Sequence, residues 1–292
     1  MSLIFNLPED EQFAHSMAQA LSWQQGTIKF HEFPDGEISI RIMSEVKQPD
    51  VFLVANLHKP NDKLIKLIFF VEAIKAAGAK NVTLIAPYLA YMRLDEITKP
   101  GEGLTSKYFA HIISHYFDRL ITIDPHLHRY RSLSDIYLIP SDVVPAAPAI
   151  ANWVWRNVEN PLLIGPDEES EQWIKVIAHE AKLPYIIFKK KRYGDNTVSI
   201  SAPLMAEYRQ HNPVMIDDII STASTMIQGV KALHASSMKK PICIGVHAVF
   251  AEGAKDSLMA AGAADIVTCN TIPHSTNAID LSHLIVDFLQ AN

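Results

Sequence analysis

A chain of 292 residues, 48% hydrophobic and 20% charged, has the size of two ordinary domains and a composition that excludes disorder. Its net charge of −6 and pI near 6.1 give no global basic field, so neither nucleic acid nor an anionic membrane surface is an expected partner. Cys243 and Cys269 lie in apolar runs without metal-ligand spacing, acids at Glu9, Asp10 and Glu11 interrupt the N-terminus, and no window approaches 18 apolar residues: the expectation is a cytoplasmic protein with reduced core thiols.

In chain order, the first polar landmark is FPDGE at residues 33–37, where Pro34, Asp35 and Gly36 supply turn chemistry and predict a hairpin or loop corner. From residue 50 short apolar runs alternate with amphipathic helices, the pattern of parallel sheets flanked by helices. Residues 51–56 read as a strand, and Leu64, Leu67, Ile68, Val71 and Ile74 share a helical face that Gly78 terminates. Residues 82–86 and 120–123 read as further strands.

PYLAYMRLDEITKPGEGLTSK, residues 87–107, follows the second of these strands and carries Arg93. A guanidinium suits bidentate phosphate binding, although a lone arginine is more often a solvated surface group. ITIDPHLHR, residues 121–129, brings Asp124, His126 and His128 after the third strand. Alternation in an extended chain would turn both histidines to one side, but H-x-H without further ligands does not make a zinc site. The proline-rich residues 140–148 mark a domain boundary. Beyond it a strand at 162–164 leads into GPDEES, residues 165–170, and KKKRYGD at 189–195 is a basic cluster before a turn, by default a solvated charge run.

Residues 214–216 read as a buried strand, and Met226, Ile227, Val230 and Leu233 as the inward face of the next helix, with 221–225 as the loop between them. A helix N-terminus presents unpaired N–H groups, so a phosphate can be held there by amides together with the hydroxyls of Ser221, Thr222, Ser224 and Thr225. Asp217 and Asp218 above it would accept hydrogen bonds from a ribose ring or help to hold Mg2+. The plainer reading makes the two acids a polar strand end and Thr222 an ordinary N-cap. Strands at 242–249 and 266–268 repeat the order of the first half, which suggests a duplicated α/β unit.

The run VMIDDIISTAST, residues 214–225, resembles the ribose-5-phosphate loop DDxxDTxGT of the ribose-phosphate pyrophosphokinases, with Ser221 at the third acid and Ser224 at the glycine. Other segments match that family in order: FPDGE its adenine loop, residues 87–95 its PYxxYxRQD segment, residues 124–126 its DLH, and GPDEES a metal-binding segment whose glycine pair is here Glu169 and Ser170. Leu94 stands at the family glutamine, Glu96 and Ile97 at basic residues. KKKRYGD places the family's catalytic Lys-x-Arg on Lys190 and Arg192, and VHAVF and CNTIPHSTNAID extend the match over nearly the whole length.

The resemblance implies two tandem type I phosphoribosyltransferase-like domains, each a mainly parallel sheet flanked by helices, over residues 1–142 and 143–280, with a last helix at 281–292 returning to the first. It also implies a Mg2+-dependent transfer of the β,γ-diphosphoryl group of ATP to O1 of ribose 5-phosphate, giving PRPP and AMP. By the same resemblance Lys190 and Arg192 are catalytic; Phe33, Asp35, Glu37, Arg93, Asp95 and His126 bind ATP, the first three across a subunit interface of a homo-oligomer; His126 and Asp167 hold Mg2+; and Asp217, Asp218, Ser221, Thr222, Ala223, Ser224 and Thr225 bind ribose 5-phosphate. Two alternatives stay open: a phosphoribosyltransferase that consumes PRPP, and a non-catalytic regulatory homologue, the latter because of Leu94, Glu96 and the missing third acid.

Overall fold

The structure is a computed structural model and describes residues 2–188 and 202–292; Lys190 and Arg192 lie outside the described residues. The chain divides into two compact units, Met1–Val144 together with Ser282–Asn292, and Pro145–Leu281.

The first unit opens with β1 (Leu3–Asn6), helix α1 (Glu11–Leu21), the short β2 (Gln24–Gln25), and an antiparallel hairpin of β3 (Ile28–Glu32) and β4 (Ile38–Ile42). It continues with β5 (Asp50–Val54), α2 (Asn61–Ala76), β6 (Asn81–Ala86), α3 (Thr105–Tyr116), β7 (Arg119–Ile123) and β8 (Ser141–Val144). Six of these strands form one parallel sheet in the order β2-β1-β5-β6-β7-β8. Beyond their exposed first residues, Asp50 and Asn81, the central strands are apolar except for Thr83 because their faces are covered: Val51, Leu53 and Val54 of β5 and Val82, Leu84 and Ile85 of β6 are fully buried. Register sets Leu53 between Phe5 and Leu84, and Phe5 packs edge-on against Phe70 of α2 with ring centroids 5.3 Å apart. The buried face of α2 is Leu67, Phe70, Val71 and Ile74, while Leu64 and Ile68 from the expected stripe are only half-buried. Gly78 adopts φ +117 just beyond that helix, a conformation costly for any residue with a Cβ.

The second unit holds α4 (Ala147–Asn157), β9 (Pro161–Gly165), α5 (Glu171–Ala181), β10 (Tyr185–Ile187), α6 (Ala202–Glu207), β11 (Asn212–Ile219), α7 (Ser224–Ala235), β12 (Ile242–His247), α8 (Ala254–Ala260), β13 (Asp265–Cys269) and β14 (Asn277–Ile279). Its six strands are again all parallel, in the order β10-β9-β11-β12-β13-β14. The last helix, α9 (Ser282–Ala291), packs on α1 of the first unit. The expected α/β class, parallel sheets with helices, is the one the chain adopts. Two strand ends differ from expectation. β11 runs on to Ile219, and β12 stops at His247, where Val249 N–H turns back to the His247 carbonyl at 3.0 Å and Phe250 N–H bonds Ile220 across the sheet at 2.9 Å. No helix among the described residues is long and apolar enough to cross a membrane.

A buried polar network fixes the carboxyl end of β5. The Asn56 backbone N–H and side-chain amide donate to the two oxygens of Asp10 at 2.9 and 2.6 Å. Lys63 Nζ donates to the Asn56 carbonyl and side-chain oxygen at 2.6 and 3.1 Å and pairs with Glu9 at 2.7 Å. Burial pushes the Asp10 carboxyl up to about 6, against the hydrogen bonds from Asn56 and the charge of Lys63. The folded chain therefore keeps this proton to about pH 6, whereas the unfolded chain releases it near 3.8. The stabilisation is fully present below about pH 4 and is lost as pH rises through 6, an effect of about 3 kcal/mol. Urea unfolding of wild type and Asp10→Asn between pH 4 and 7 should show their stability difference changing by about this amount in the sense that wild type gains on acidification. Parallel pH profiles would remove Asp10 as the source.

Candidate active site

In the second unit β11 extends far enough to include both acids of the pair, so Asp217 and Asp218 end the strand instead of sitting above it. Alternation sends them to opposite faces, and Asp218 is 5% exposed. Asp217 accepts from the Asp218 N–H at 3.1 Å, and Asp218 from the Ile219 N–H at 2.7 Å. Burial holds the Asp217 carboxyl well above the usual carboxylate range, and the charges of Asp218 and then Asp167 push it the same way.

The turn that follows is anchored by its backbone: Ile220 N–H donates to His247 at 3.1 Å, and Ala251 N–H to the Ser221 carbonyl at 3.0 Å. Ala223 occupies the N-cap of α7 in the left-handed region, φ 58, and no side chain caps the helix. That conformation costs an L-residue roughly 1–2 kcal/mol. Ser224 lies within the helix, so backbone freedom is demanded at Ala223 and not at the position where the resemblance has glycine. Thr222 is no ordinary N-cap either. Its hydroxyl lies 3.0 Å from that of Ser224, both side chains are exposed, and Ser221 and Thr225 flank them half-buried. A helix start whose N-cap residue offers no side-chain acceptor, with only a long 3.5 Å bond from the Ser224 N–H to the Thr222 hydroxyl and four hydroxyls around it, is suited to a phosphate.

Asp167 follows β9 and closes a small turn ahead of α5. Its Oδ1 accepts from the Glu169 and Ser170 N–H groups at 3.1 and 3.2 Å, and the Ser170 hydroxyl returns a bond to its carbonyl at 2.6 Å. The amides at the family's glycine pair are thus directed to Asp167. Because Asp167 also raises Asp217, the second unit gathers three like charges around the end of its sheet. A divalent cation with oxygen preference fits such a donor set.

In the first unit FPDGE is the tip of the β3–β4 hairpin, shaped by Phe33 N–H to Glu37 at 2.7 Å, Gly36 N–H to Phe33 at 2.9 Å and Glu37 N–H to Asp35 Oδ1 at 3.2 Å. The exposed Phe33 ring meets His31 edge to face at 4.7 Å. A cavity of about 770 Å³ opens beside the hairpin, lined by Glu32, Glu37, Asn61, Asp62, Ile65 and Lys66 among others. The hairpin carries Phe33, Asp35 and Glu37, whereas Arg93, Asp95 and His126 belong to the segments after β6 and β7.

After β6, Tyr91 takes φ 65, donates to Asn61 at 2.5 Å and lies 4.9 Å from the Phe109 ring, and Met92 is buried. These two residues anchor the segment and leave Arg93 exposed. Leu94 and Ile97 are exposed as well, at 51% and 54%. Asp95 is placed otherwise than expected for a ligand contact: its side chain is 4% exposed and its Oδ1 is 3.0 Å from Arg129 Nη1. Glu96 pairs with the same guanidinium. Sequence reasoning missed Arg129, whose partners lie in another loop and share no local pattern with it.

His126 and His128 do face each other, with Nδ1 of the first 3.1 Å from Nε2 of the second and ring centroids 3.9 Å apart. Strand alternation is not the cause. β7 ends at Ile123, and Asp124 at φ 34 and His126 at φ 56 curl the chain around Pro125, with His126 N–H bonded to the Asp124 carbonyl at 2.9 Å.

Comparison with known proteins agrees with this geometry. The profile described as the N-terminal domain of ribose phosphate pyrophosphokinase matches residues 2–116, and that of the phosphoribosyl transferase domain matches residues 143–285. A ribose-phosphate pyrophosphokinase of Sulfolobus acidocaldarius is 32% identical over 259 residues, 87% of either chain, and one of Saccharolobus solfataricus is 31% identical over 281 residues, 94% of either chain. The crystal structure of phosphoribosylpyrophosphate synthetase from Mycobacterium smegmatis shares the fold, with a TM-score of 0.86 at 21% identity, covering 99% of this chain and 98% of that one. The chain belongs to the ribose-phosphate pyrophosphokinase family.

The raised Asp217 carboxyl has a measurable consequence. Its folded value lies above its unfolded one, so its contribution to stability is present in acid and lost as pH rises, and at neutral pH the carboxyl opposes folding. Asp217→Asn keeps an oxygen for the Asp218 N–H and should melt roughly 2–4 °C above wild type at pH 7.5, the change about 1 kcal/mol makes in a domain this size. Calorimetry that found the variant melting lower would remove the argument that burial and neighbouring charge at Asp217 oppose folding.

Proposed function

We propose that this chain is a ribose-phosphate diphosphokinase, transferring the β,γ-diphosphoryl group of ATP to the anomeric hydroxyl of ribose 5-phosphate and releasing AMP. Family membership supports the reaction. The observation that carries it in this chain is the end of β11, where two carboxylates pass directly into a hydroxyl-lined turn and a helix start with alanine, which has no capping group, at its N-cap.

In this reading the 5-phosphate rests on the start of α7, held by the amides of residues 223–225 and the hydroxyls of Ser221, Thr222, Ser224 and Thr225. Asp217 and Asp218 accept hydrogen bonds from the ribose hydroxyls, which orients the ring. Arg93 and His126 bind the triphosphate, and Phe33, Asp35 and Glu37 serve the adenine of a neighbouring subunit in a homo-oligomer. Asp95 contributes through Arg129. Lys190 and Arg192 stabilise negative charge that accumulates on the transferred group, and they exclude water from it.

Mg2+ fits the second unit because burial and the neighbouring charges of Asp218 and Asp167 raise the proton affinity of Asp217, a cost that a divalent cation relieves. Asp167 in that unit and His126 in the first are each proposed as a protein ligand to Mg2+. When bound, the ion neutralises charge on the ATP phosphates. The cytoplasm is the proposed compartment.

Incubation with ATP, ribose 5-phosphate and Mg2+ should release AMP only when the sugar phosphate is present. Release of ADP, AMP formation without the sugar, or nucleotide formation from PRPP and a nucleobase would replace this reading. Within it, Lys190→Ala should lower kcat by at least roughly a hundredfold while KM for either substrate moves less than about threefold. A change confined to KM would make Lys190 a binding residue only.

A further inference from the structure

We infer that Arg129 is a positioning residue for the nucleotide, acting as a clasp between the segment that carries Arg93 and the turn that carries His126; this rests on the diphosphokinase reading above. One guanidinium reaches two consecutive acids, Asp95 through Nη1 at 3.0 Å and Glu96 through Nη2. Arg129 stands three residues after His126, and Asp95 two residues after Arg93. The two loops emerge from adjacent parallel strands, β6 and β7, and the clasp joins them at the sheet's carboxyl end.

Two physical effects follow from the one group. Asp95 has a side chain only 4% exposed, so water cannot replace the arginine, and an unpaired carboxylate there would force the segment to rearrange and carry Arg93 with it. Glu96 is about half exposed and stands two residues beyond Leu94, in a segment proposed to meet a polyanion. Left alone it would repel the triphosphate; the Arg129 guanidinium cancels that charge where it arises. Lysine offers a point charge without the planar fork, so it can serve one acid at a time.

The test is steady-state kinetics with both substrates on Arg129→Met, Arg129→Lys and the double variant Arg129→Met with Glu96→Gln, each checked for folding by thermal melting. Arg129→Met should raise KM for Mg–ATP roughly tenfold, as truncating one partner of a hydrogen-bonded charge pair does, and leave KM for ribose 5-phosphate within about twofold. Arg129→Lys should fall between the two. Adding Glu96→Gln to Arg129→Met should recover at least about threefold of the Mg–ATP KM, because it removes the uncancelled charge. Equal loss on both substrates, or no recovery in the double variant, would overturn the clasp and leave Arg129 a purely structural residue. Should wild type release no AMP, the diphosphokinase reading fails by itself, and calorimetric titration with the Mg2+ complex of a non-hydrolysable ATP analogue decides the clasp. Affinity roughly tenfold weaker in Arg129→Met supports it, and equal affinity, or no binding by wild type, overturns it.

Discussion

A strand buried on both faces has no place for a charge except near its ends, and this constraint orders the chemistry of both units. β9 is apolar throughout, β5 and β6 are apolar beyond their exposed first residues Asp50 and Asn81 apart from Thr83, and polar groups resume after their carboxyl ends: Asn56 after β5, the Arg93 segment after β6, and Asp167 after β9. β7 follows the same rule after Arg119 at its start, apart from Thr122, whose hydroxyl is satisfied by the Ala86 carbonyl at 2.7 Å. β11 goes furthest, since it carries Asp217 and Asp218 inside its final residues. The raised Asp217 carboxyl is the electrostatic result of placing charge where the sheet is still dry.

The same strand ends concentrate backbone strain. Tyr91, Asp124, His126 and Ala223 all take positive φ without being glycine, and all lie just past a parallel strand. Each such residue costs on the order of 1–3 kcal/mol and persists only where its surroundings hold it. Those surroundings are visible: Tyr91 is tied to Asn61 and Phe109, His126 to Asp124 through its backbone and to His128 through its ring, and Ala223 lies buried between a backbone-anchored turn and α7. The sheets thus hold the first residues of these loops in conformations the loops would not adopt alone, which is what a positioned binding site requires.

Much of this was legible before any coordinates. Alternation of apolar runs with helical stripes led to parallel sheets, because burial dictates composition along a whole strand. The positions of Asp217, Asp218 and the hydroxyls were legible for the same reason: a helical stripe beginning at Met226 bounds the loop from one side. Strand ends were less so, since β11 gains Asp217 to Ile219 and β12 loses its last two expected residues through hydrogen bonds between chain segments about thirty residues apart. The histidine pair was anticipated for the wrong reason. A left-handed residue leaves no mark in sequence when it is alanine, tyrosine or histidine, and an ion pair between loops has no periodicity to betray it.

The departures from the family pattern differ in physical weight. Leu94 and Ile97 place apolar surface on the segment after β6, while Glu96 is cancelled by a partner in the same unit. Ser221 differs again, because what it lacks is a carboxylate next to a cluster already crowded with like charge. Its backbone carbonyl accepts from Ala251, and the turn is further tied by Ile220 to His247, so no bond holding the loop depends on the side chain at 221. A third acid would have added repulsion to Asp217 and Asp218. With serine a carboxylate is replaced by a neutral hydroxyl while the backbone bonds that shape the turn are kept, which separates the geometry of this turn from its charge.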